Sequence, residues 1–314
     1  MITVLTGGTG GAKFVDGLRQ LLPARKLTLI VNTGDDLEWW GLHVSPDLDS
    51  IMYVLAGMLS QDRGWGVDGD SFECLEAMRR LGAPAWFRVG DRDLATHLTR
   101  TQLLASSRTL TQATAEIAAA LGVQSHILPM SDARVETRVT TPAGELSFQE
   151  YFVRERYQPE VHGVRFGGAE QASPAPGVLE AIAHAEAVVL APSNPITSIG
   201  PILAVPGIRQ ALRETQAPVA AISPIVGGAA VSGPAGALMA SQGLPVSAAG
   251  VAQAYADFLD LLIVDERDAE AAEALRQSGL QLHCARTIMK TADDKAALAA
   301  TVLELVTRSA ARAG

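Results

Sequence analysis

The chain has 314 residues, of which 48% are hydrophobic, and a formal net charge of −9 with a pI near 5.2. This length suffices for a single α/β domain over 1–314, and the acidic balance argues against nucleic acid as a partner. Because Cys74 and Cys284 form no C-x-x-C pair and no segment reads as a signal peptide or a membrane span, we expect a cytoplasmic protein with no membrane partner.

A glycine-rich turn joins the first predicted strand to the first predicted helix. Residues 1–5 form an apolar, β-branched run, and residues 14–22 follow a helical pattern. Between them stands Thr6-Gly7-Gly8-Thr9-Gly10-Gly11-Ala12-Lys13. Glycines let the backbone approach a phosphate, the free N–H groups of a helix start point at the anion, and Lys13 adds a positive charge. The turn therefore predicts a phosphate site in a nucleotide-binding βαβ unit.

This turn matches neither standard nucleotide-binding pattern. In a dinucleotide pattern G-x-G-x-x-G that begins at Gly8, the last glycine position holds Lys13. In the P-loop pattern the lysine is followed by Ser or Thr, whereas Phe14 stands there. The turn thus indicates a phosphate without naming the nucleotide, and a tight strand-to-helix turn with no ligand stays open as the alternative.

Polar residues follow the second predicted strand, 27–31. The sequence Asn32-Thr33-Gly34-Asp35-Asp36 comes where strand ends form the ligand crevice of a parallel sheet, so we expect these groups to face that crevice. A turn satisfied by its own backbone stays open as the alternative.

Two aspartates open the next predicted helix, which runs over about 48–59. Ser45 suits the N-cap position and Pro46 the first helical position. Asp47 and Asp49 then either complement the helix dipole or hold Mg²⁺ and orient a hydroxyl.

The segment 86–93 is denser in charge than its surroundings. Its Arg88 stands beside aromatic residues, and either surface ion pairs or the recognition of an anion or a ring explains it. Asp91 is placed to cap the helix over 94–103. Further on, 134–140 and 145–153 alternate around Pro142-Ala143-Gly144, which predicts a β-hairpin.

The α/β alternation returns from Pro176 to the end of the chain. The strands over 187–190 and 219–222 end in polar loops that carry Ser193, Asn194 and Ser223, although ordinary strand-to-helix turns explain such loops too. We therefore predict an α/β fold with a Rossmann-like parallel-sheet core, helices on both faces, and an inserted helical and β-hairpin subdomain over 45–175.

The sequence shows no nucleophile elbow and no zinc-spaced histidine cluster. Glycine-loop amides, Lys13, an arginine and one or two aspartates instead suit phosphoryl transfer, which needs placement and charge neutralisation.

Six motifs give the chain a resemblance to a known family. They are Gly7 to Lys13, Ser45-Pro-Asp-Leu-Asp49, Gly90-Asp-Arg-Asp-Leu94, Pro129-Met-Ser-Asp132, Ser193-Asn-Pro-Ile-Thr-Ser-Ile-Gly-Pro201 and Ser232-Gly-Pro-Ala235. With these motifs in order from Met1 to about Asp268, the chain resembles the 2-phospho-L-lactate transferases (CofD type) of coenzyme F-420 biosynthesis, including their phosphoenolpyruvate transferase variants.

The resemblance implies a reaction between a donor and an acceptor. The donor is a guanosine diphosphate ester, lactyl- or enolpyruvyl-diphosphoguanosine, and the acceptor is the ribityl hydroxyl of the deazaflavin FO. GMP is released, and both Mg²⁺ and a homodimer are expected. The resemblance leaves open which acid the donor carries.

The resemblance also implies roles for residues. Asp49 and Arg88 fall where the family contacts the deazaflavin, so 45–175 would line the acceptor site. Asp47 and Asp49 would serve catalysis and the metal. The guanosine diphosphate would be held by Gly8, Thr9, Gly10, Gly11, Lys13, Ser193, Asn194 and Ser223.

Two other functions remain as alternatives. A nucleotide-sugar-binding regulator of the related gluconeogenesis-factor type would be expected to lack the deazaflavin contacts, whereas Asp49 and Arg88 are present. A nicotinamide or flavin oxidoreductase is disfavoured because Lys13 takes the last glycine position.

Overall fold

The chain is built around one sheet of seven parallel strands. The computed structural model describes residues 1–276 and 279–313. Its strands are β1 Ile2–Thr6, β2 Leu27–Val31, β3 Leu37–Trp39, β4 Leu42–Val44, β5 His126–Pro129, β6 Glu136–Thr141, β7 Gly144–Ser147, β8 Gly163–Gly167, β9 Ala187–Leu190, β10 Val219–Ile222, β11 Ile225–Val226, β12 Ala229–Ala230, β13 Leu261–Asp265 and β14 Gln281–Ala285. In the large sheet the strand order is β14-β13-β10-β9-β1-β2-β5.

Helices connect these strands. They are α1 Gly8–Leu21, α2 Pro46–Leu55, α3 Glu73–Arg80, α4 Asp91–Ala105, α5 Leu110–Ala120, α6 Val178–Ala183, α7 Gly200–Ala204, α8 Ile208–Glu214, α9 Ala235–Ser241, α10 Ala248–Ala254, α11 Ala269–Arg276 and α12 Ala292–Ala313. Among the helices in the described ranges, none combines the length and apolarity needed to cross a bilayer.

Both faces of the sheet are buried, which confirms the predicted α/β class. Successive residues of a strand point to opposite faces, so Val4 and Leu5 of β1 enter different hydrophobic clusters and both are fully buried. The cluster with Val4 takes residues from α1, α2, α5 and α12. The cluster with Leu5 takes residues from α6, α8, α9 and α10. Such double coverage requires strands that are apolar on both sides, as in a parallel sheet.

The strand order reverses at β1. The chain passes from β1 to β2 and β5 on one side, and later returns to place β9 on the other side of β1. In open parallel sheets a crevice forms beyond the carboxyl ends of the strands at such a reversal. The glycine-rich turn after β1 and the polar loop after β9 therefore meet there.

The predicted β-hairpin is present, but its second strand is shorter than expected. Strands β6 and β7 pair antiparallel, and β8 adds a third strand beside β6. The expectation of a strand as far as 153 was wrong, because a π-helical turn, Glu150–Arg154, follows. Ser147 and Glu150 form reciprocal hydrogen bonds that start this turn, and the Ser-x-x-Glu spacing was its signal.

The range 45–175 also contributes to the core. Strand β5 lies within it and pairs in parallel with β2 at the edge of the large sheet. The small sheet of β6, β7 and β8 lies in the same range. The range therefore supplies one strand to the core and a separate antiparallel unit.

Candidate functional site

A cavity of about 450 Å³ gathers most of the predicted site residues in one place. Of the predicted residues, those that line it are Gly8, Thr9, Gly10, Lys13, Asp47, Asp49, Arg88, Ser193, Asn194 and Ser223. The turn after β1 and the loops after β9 and β10 form one side of the cavity, which we call the donor side after the expectation from the sequence that the donor binds there. Residues from 45–175 form the other, which we call the acceptor side.

The glycine turn packs directly on the loop that follows β9. A Cβ on Gly10 would lie 2.2 Å from the carbonyl oxygen of Pro192, and one on Gly11 would lie 2.1 Å from Oγ1 of Thr6. Gly11 is thereby placed behind the cavity wall, while Gly10 lines it. These two glycines are required by packing alone, and the packing aims the N-terminus of α1 into the cavity.

The polar groups on the donor side have hydrogen-bond partners in their own loop or in the neighbouring glycine turn. The Ser193 hydroxyl donates to the Gly7 carbonyl at 2.7 Å, and the Ser223 hydroxyl donates to the Ile225 carbonyl at 3.0 Å. Asn194 Oδ1 accepts from the backbone N–H of Ile196 at 2.9 Å. Loop-stabilising contacts are therefore present, as the turn alternative expected, and these three residues face the cavity as well.

Asp47 connects the glycine turn to β2. Its Oδ1 accepts from the Gly8 N–H at 2.7 Å and its Oδ2 accepts from Asn32 Nδ2 at 2.9 Å. Burial raises the pKa of the Asp47 carboxyl to about 6, although the hydrogen bonds from Asn32 and Gly8 act to lower it.

The two aspartates after β2 point in different directions. Asp35 is buried and lines the cavity, and its burial, followed by the charges of Asp47 and Asp36, raises its pKa well above the ordinary value. Asp36 turns to His43 and Ser45, and the Ser45 hydroxyl donates to it at 2.6 Å. Ser45 occupies the predicted N-cap position of α2, but its side chain serves Asp36 instead of the helix.

Asp49 belongs to a buried charged cluster with residues of α4. Both of its oxygens accept from the guanidinium of Arg100, which is fully buried. Nδ1 of His97 lies 3.5 Å from Asp49 Oδ2, and Nε2 of His97 lies 3.4 Å from Asp93 Oδ1. The Tyr53 hydroxyl donates to Asp93 at 2.7 Å and fixes that carboxylate.

Asp49, Asp93 and His97 could together hold a metal ion. One ligand atom from each lies within 4.8 Å of the others, and all three residues are buried. Neither ring nitrogen of His97 has a hydrogen-bond partner among the described residues, so a ring nitrogen is available to coordinate a metal ion. Carboxylates and imidazoles are common ligands of divalent cations. Asp47 is not part of this group within the described ranges.

The sequence analysis missed Asp93, His97 and Arg100 as site residues. They stand on α4 at spacings of four and three, which places them on one face of the helix. The polar residues at this helical spacing were the available sequence signal, and the structure shows that all three are buried.

The entry into α4 is held by a pair of reciprocal aspartate contacts. Asp91 does not cap α4 as predicted; it is the first residue of α4, and its carboxylate accepts from the backbone N–H groups of Glu73 and Cys74 at the start of α3. Asp70 caps α4 by accepting from the N–H groups of Arg92 and Asp93. The two aspartates exchange roles because the starts of α3 and α4 lie side by side.

Aromatic side chains line the acceptor side. They are Trp65, Trp86, Phe87, Phe148 and Phe152. The guanidinium of Arg88 lies over the ring of Phe72, 4.5 Å from its centre, and Arg88 also lines the cavity. Arg92 turns elsewhere, since its guanidinium donates to the Asp68 carbonyl at 3.3 Å. The acceptor side thus offers flat apolar surfaces, a cation and the buried Asp49 cluster.

Comparison with known proteins gives consistent matches over nearly the whole chain. The family model described as 2-phospho-L-lactate transferase CofD matches residues 2–304. A 2-phospho-L-lactate transferase of Methanosarcina mazei is 41% identical over 301 residues, covering 96% of this chain and 99% of that protein. A phosphoenolpyruvate transferase of Streptomyces griseus is 46% identical over 310 residues, covering 97% and 98%.

Among solved structures, a member of the upf0052 family from Bacillus halodurans has the same fold. It is 17% identical, with a TM-score of 0.65, and the match covers 96% of this chain and 99% of that one. The family match and the two transferase relatives confirm the resemblance derived from the motifs. The chain therefore belongs to the 2-phospho-L-lactate transferase CofD family, a family of transferases.

Proposed function

We propose that this protein moves a phospho-(hydroxy or enol) acid group from a guanosine diphosphate ester to the ribityl hydroxyl of FO in coenzyme F-420 biosynthesis. The family and the names of its relatives support the reaction class. The observation that carries the proposal is that one cavity joins a phosphate-type turn to an aromatic wall with acidic groups between them. A donor and an acceptor have to meet in such a space.

The donor's diphosphate would lie against the start of α1. The backbone there offers N–H groups and the positive end of the helix dipole, and Lys13 lines the same wall. Ser193, Asn194 and Ser223 would contact the rest of the guanosine diphosphate from the neighbouring strand ends. Gly11, which is not among the residues that line the cavity, would contribute through its backbone.

The deazaflavin would lie on the acceptor side. Its flat tricyclic ring suits the aromatic wall, and Arg88 would bind a polar edge of the ring. Asp49, which lines the same cavity, would orient the ribityl hydroxyl. The inserted range 45–175 would accordingly line the acceptor site, as the sequence analysis expected.

Asp49, Asp93 and His97 would hold the divalent cation, which we propose is Mg²⁺. When bound, the ion would neutralise charge on the diphosphate, which is its usual contribution to phosphoryl transfer. Four carboxylates line the cavity and would repel the donor's phosphates, so a cation there would reduce the repulsion. They belong to Asp35, Asp47, Asp49 and Asp93. Asp47 was grouped with Asp49 for metal and catalysis; it accepts from the Gly8 N–H of the donor turn, and we propose that it serves the donor side.

The chemistry exchanges one phosphorus–oxygen bond for another. The ribityl oxygen bonds to the phosphorus next to the acid, the bond from that phosphorus to the bridging oxygen breaks, and GMP leaves with the bridging oxygen. The hydroxyl proton is lost to the surroundings. The protein's residues bind and align the two reactants, as in other phosphoryl transfers.

The test mixes the purified protein with FO, Mg²⁺ and each guanylyl donor in turn. The donors carry phospholactate, phosphoenolpyruvate or phosphoglycerate as the acid. We expect GMP and a phosphorylated deazaflavin in equal amounts with at least one donor. Binding of both ligands without turnover would contradict the proposal and favour a regulatory role. Light scattering on the same sample tests the expected homodimer.

A further inference from the structure

Asp47 ties together three segments that are far apart in the sequence. It stands on α2, in the acceptor-side range, and accepts from Gly8 of the donor turn and from Asn32 at the end of β2. Asn32 Nδ2 also donates to the Thr197 carbonyl at 3.3 Å, and Asn32 Oδ1 accepts from the Gly34 N–H at 2.8 Å. The carboxylate therefore links α2 to the donor turn by a direct hydrogen bond.

The donor turn is held closely on both sides at this point. A Cβ on Gly7 would lie 2.6 Å from Asp47 Oδ2, so the carboxylate lies against the backbone. On the opposite side the Ser193 hydroxyl donates to the Gly7 carbonyl at 2.7 Å. A displacement of Asp47 would therefore change where the first turn of α1 points.

We infer that Asp47 is a positioning residue: through Gly8 and Asn32 it sets the donor turn at a fixed distance from the acceptor side of the cavity. This inference rests on the proposed function, because it assigns the two sides to two reactants. It differs from a metal or catalytic role, in which the carboxylate itself would touch the ion or the reacting atoms.

The contact requires two acceptors at residue 47. Gly8 and Asn32 each present an N–H donor, and a carboxylate has an acceptor oxygen for each. In Asp47→Asn one oxygen becomes an NH₂ group, which then faces a donor in a buried place. A buried donor left without a partner is costly, and the turn relaxes to relieve it.

Exchanging the two side chains, so that residue 32 is Asp and residue 47 is Asn, restores the matching of hydrogen-bond donors to acceptors. In the double variant Asn32→Asp/Asp47→Asn, the new amide oxygen accepts from Gly8 while its NH₂ donates to the new carboxylate. The contact from Gly34 is kept, and only the 3.3 Å contact to the Thr197 carbonyl is lost. Asn32→Asp alone places two carboxylates together and restores nothing.

The experiment measures the affinity for GDP by calorimetry in the wild type, both single variants and the double variant. We expect each single variant to bind GDP about tenfold more weakly or worse, and the double variant to regain most of that loss. FO affinity should change by less than about twofold throughout, because the aromatic wall is untouched. The matched control is Asp62→Asn, at an exposed residue away from the cavity, which should bind GDP as the wild type does.

The outcomes separate this inference from the proposed function. A double variant that binds GDP no better than Asp47→Asn would overturn the positioning role, whether or not the wild type turns over. If Asp47→Asn does not fold, recovery of a cooperative unfolding transition and of GDP binding in the double variant supports the role, and failure to recover overturns it. Absence of wild-type turnover with an intact GDP result would count against the proposed function alone.

Discussion

The donor and acceptor sides of the cavity consist of different kinds of chemical group. The donor side is made mostly of backbone and short side chains at the ends of β1, β9 and β10, together with Lys13, and its hydroxyls donate to backbone carbonyls of these loops. The acceptor side is made of long aromatic and charged side chains from α2, α4 and the segments around them. One side is shaped by close backbone packing, the other by pairs of side chains.

This difference predicts different responses to substitution. On the donor side an added methyl group at Gly10 meets the backbone carbonyl of Pro192. On the acceptor side a truncated side chain leaves its partner exposed or unpaired, and a second change can compensate for it. Four substitutions or conditions test this contrast.

The largest effect is expected for Asp49→Ala. Turnover should be lost, and the free energy of unfolding should fall by about 3–5 kcal/mol because the fully buried Arg100 loses its carboxylate. Urea unfolding and GMP release measure the two losses separately. In Asp49→Ala/Arg100→Met stability should largely return while turnover stays absent. If the double variant turned over, Asp49 would have no part in the reaction.

The next largest effect is expected for Gly10→Ala, which should lower the affinity for the donor nucleotide and leave the affinity for the acceptor unchanged. Its Cβ would lie 2.2 Å from the Pro192 carbonyl oxygen, so the turn has to shift. We expect GDP affinity to fall about a hundredfold and the unfolding free energy to fall by roughly 1–3 kcal/mol. The control is Gly163→Ala in β8, where a Cβ meets nothing within 4 Å. Equal GDP affinity in the two variants would show that the turn is not the diphosphate site.

Arg88→Ala should weaken FO binding by about tenfold and leave stability unchanged. Arg88 is exposed and lines the cavity, and a cation over a ring contributes modestly. FO fluorescence measures the affinity. Arg92→Ala is the matched control, because that side chain reaches the Asp68 carbonyl. If both variants lost FO affinity equally, the general charge of the segment and not Arg88 would be responsible.

The smallest effect is expected for the ion pair between Asp16 of α1 and Lys295 of α12. Burial acts to raise the pKa of Asp16 in α1, but hydrogen bonds from Lys295 and Arg19 outweigh it and the net shift is downward. A lowered folded-state pKa contributes stability that is present above the ordinary carboxyl pKa and is lost as pH falls through the lowered value. Stability should thus decline in acid below about pH 4. Lys295→Met should flatten this decline in urea unfolding measurements; an unchanged slope would remove the pair as its cause.

The donor side was accessible to sequence reasoning because it follows from chain order. A buried strand, a glycine turn and a helix predict where backbone N–H groups point, and the strand ends place Ser193 and Ser223 nearby. Even so, the patterns did not show that Gly10 and Gly11 are needed for packing. Gly10 lies against Pro192, about 180 residues later in the chain, and Gly11 lies against Thr6 and Ser193.

The acceptor side was accessible only in part, because its contacts depend on tertiary structure. The motif resemblance singled out Asp49 and Arg88, but not the buried partners His97 and Arg100. Asp91 was expected to cap its own helix, whereas the neighbouring start of α3 takes its carboxylate. Capping propensity is a property of a single helix, whereas the contacts of Asp91 depend on how α3 and α4 pack against each other.

The most direct test of the account is a crystal structure of the protein with GDP and FO bound together. We predict the diphosphate at hydrogen-bond distance, about 3 Å, from the N–H groups at the start of α1, and the FO ring on the aromatic wall with its ribityl chain towards Asp49. Diphosphate density away from that turn, or FO bound outside the cavity, would contradict it.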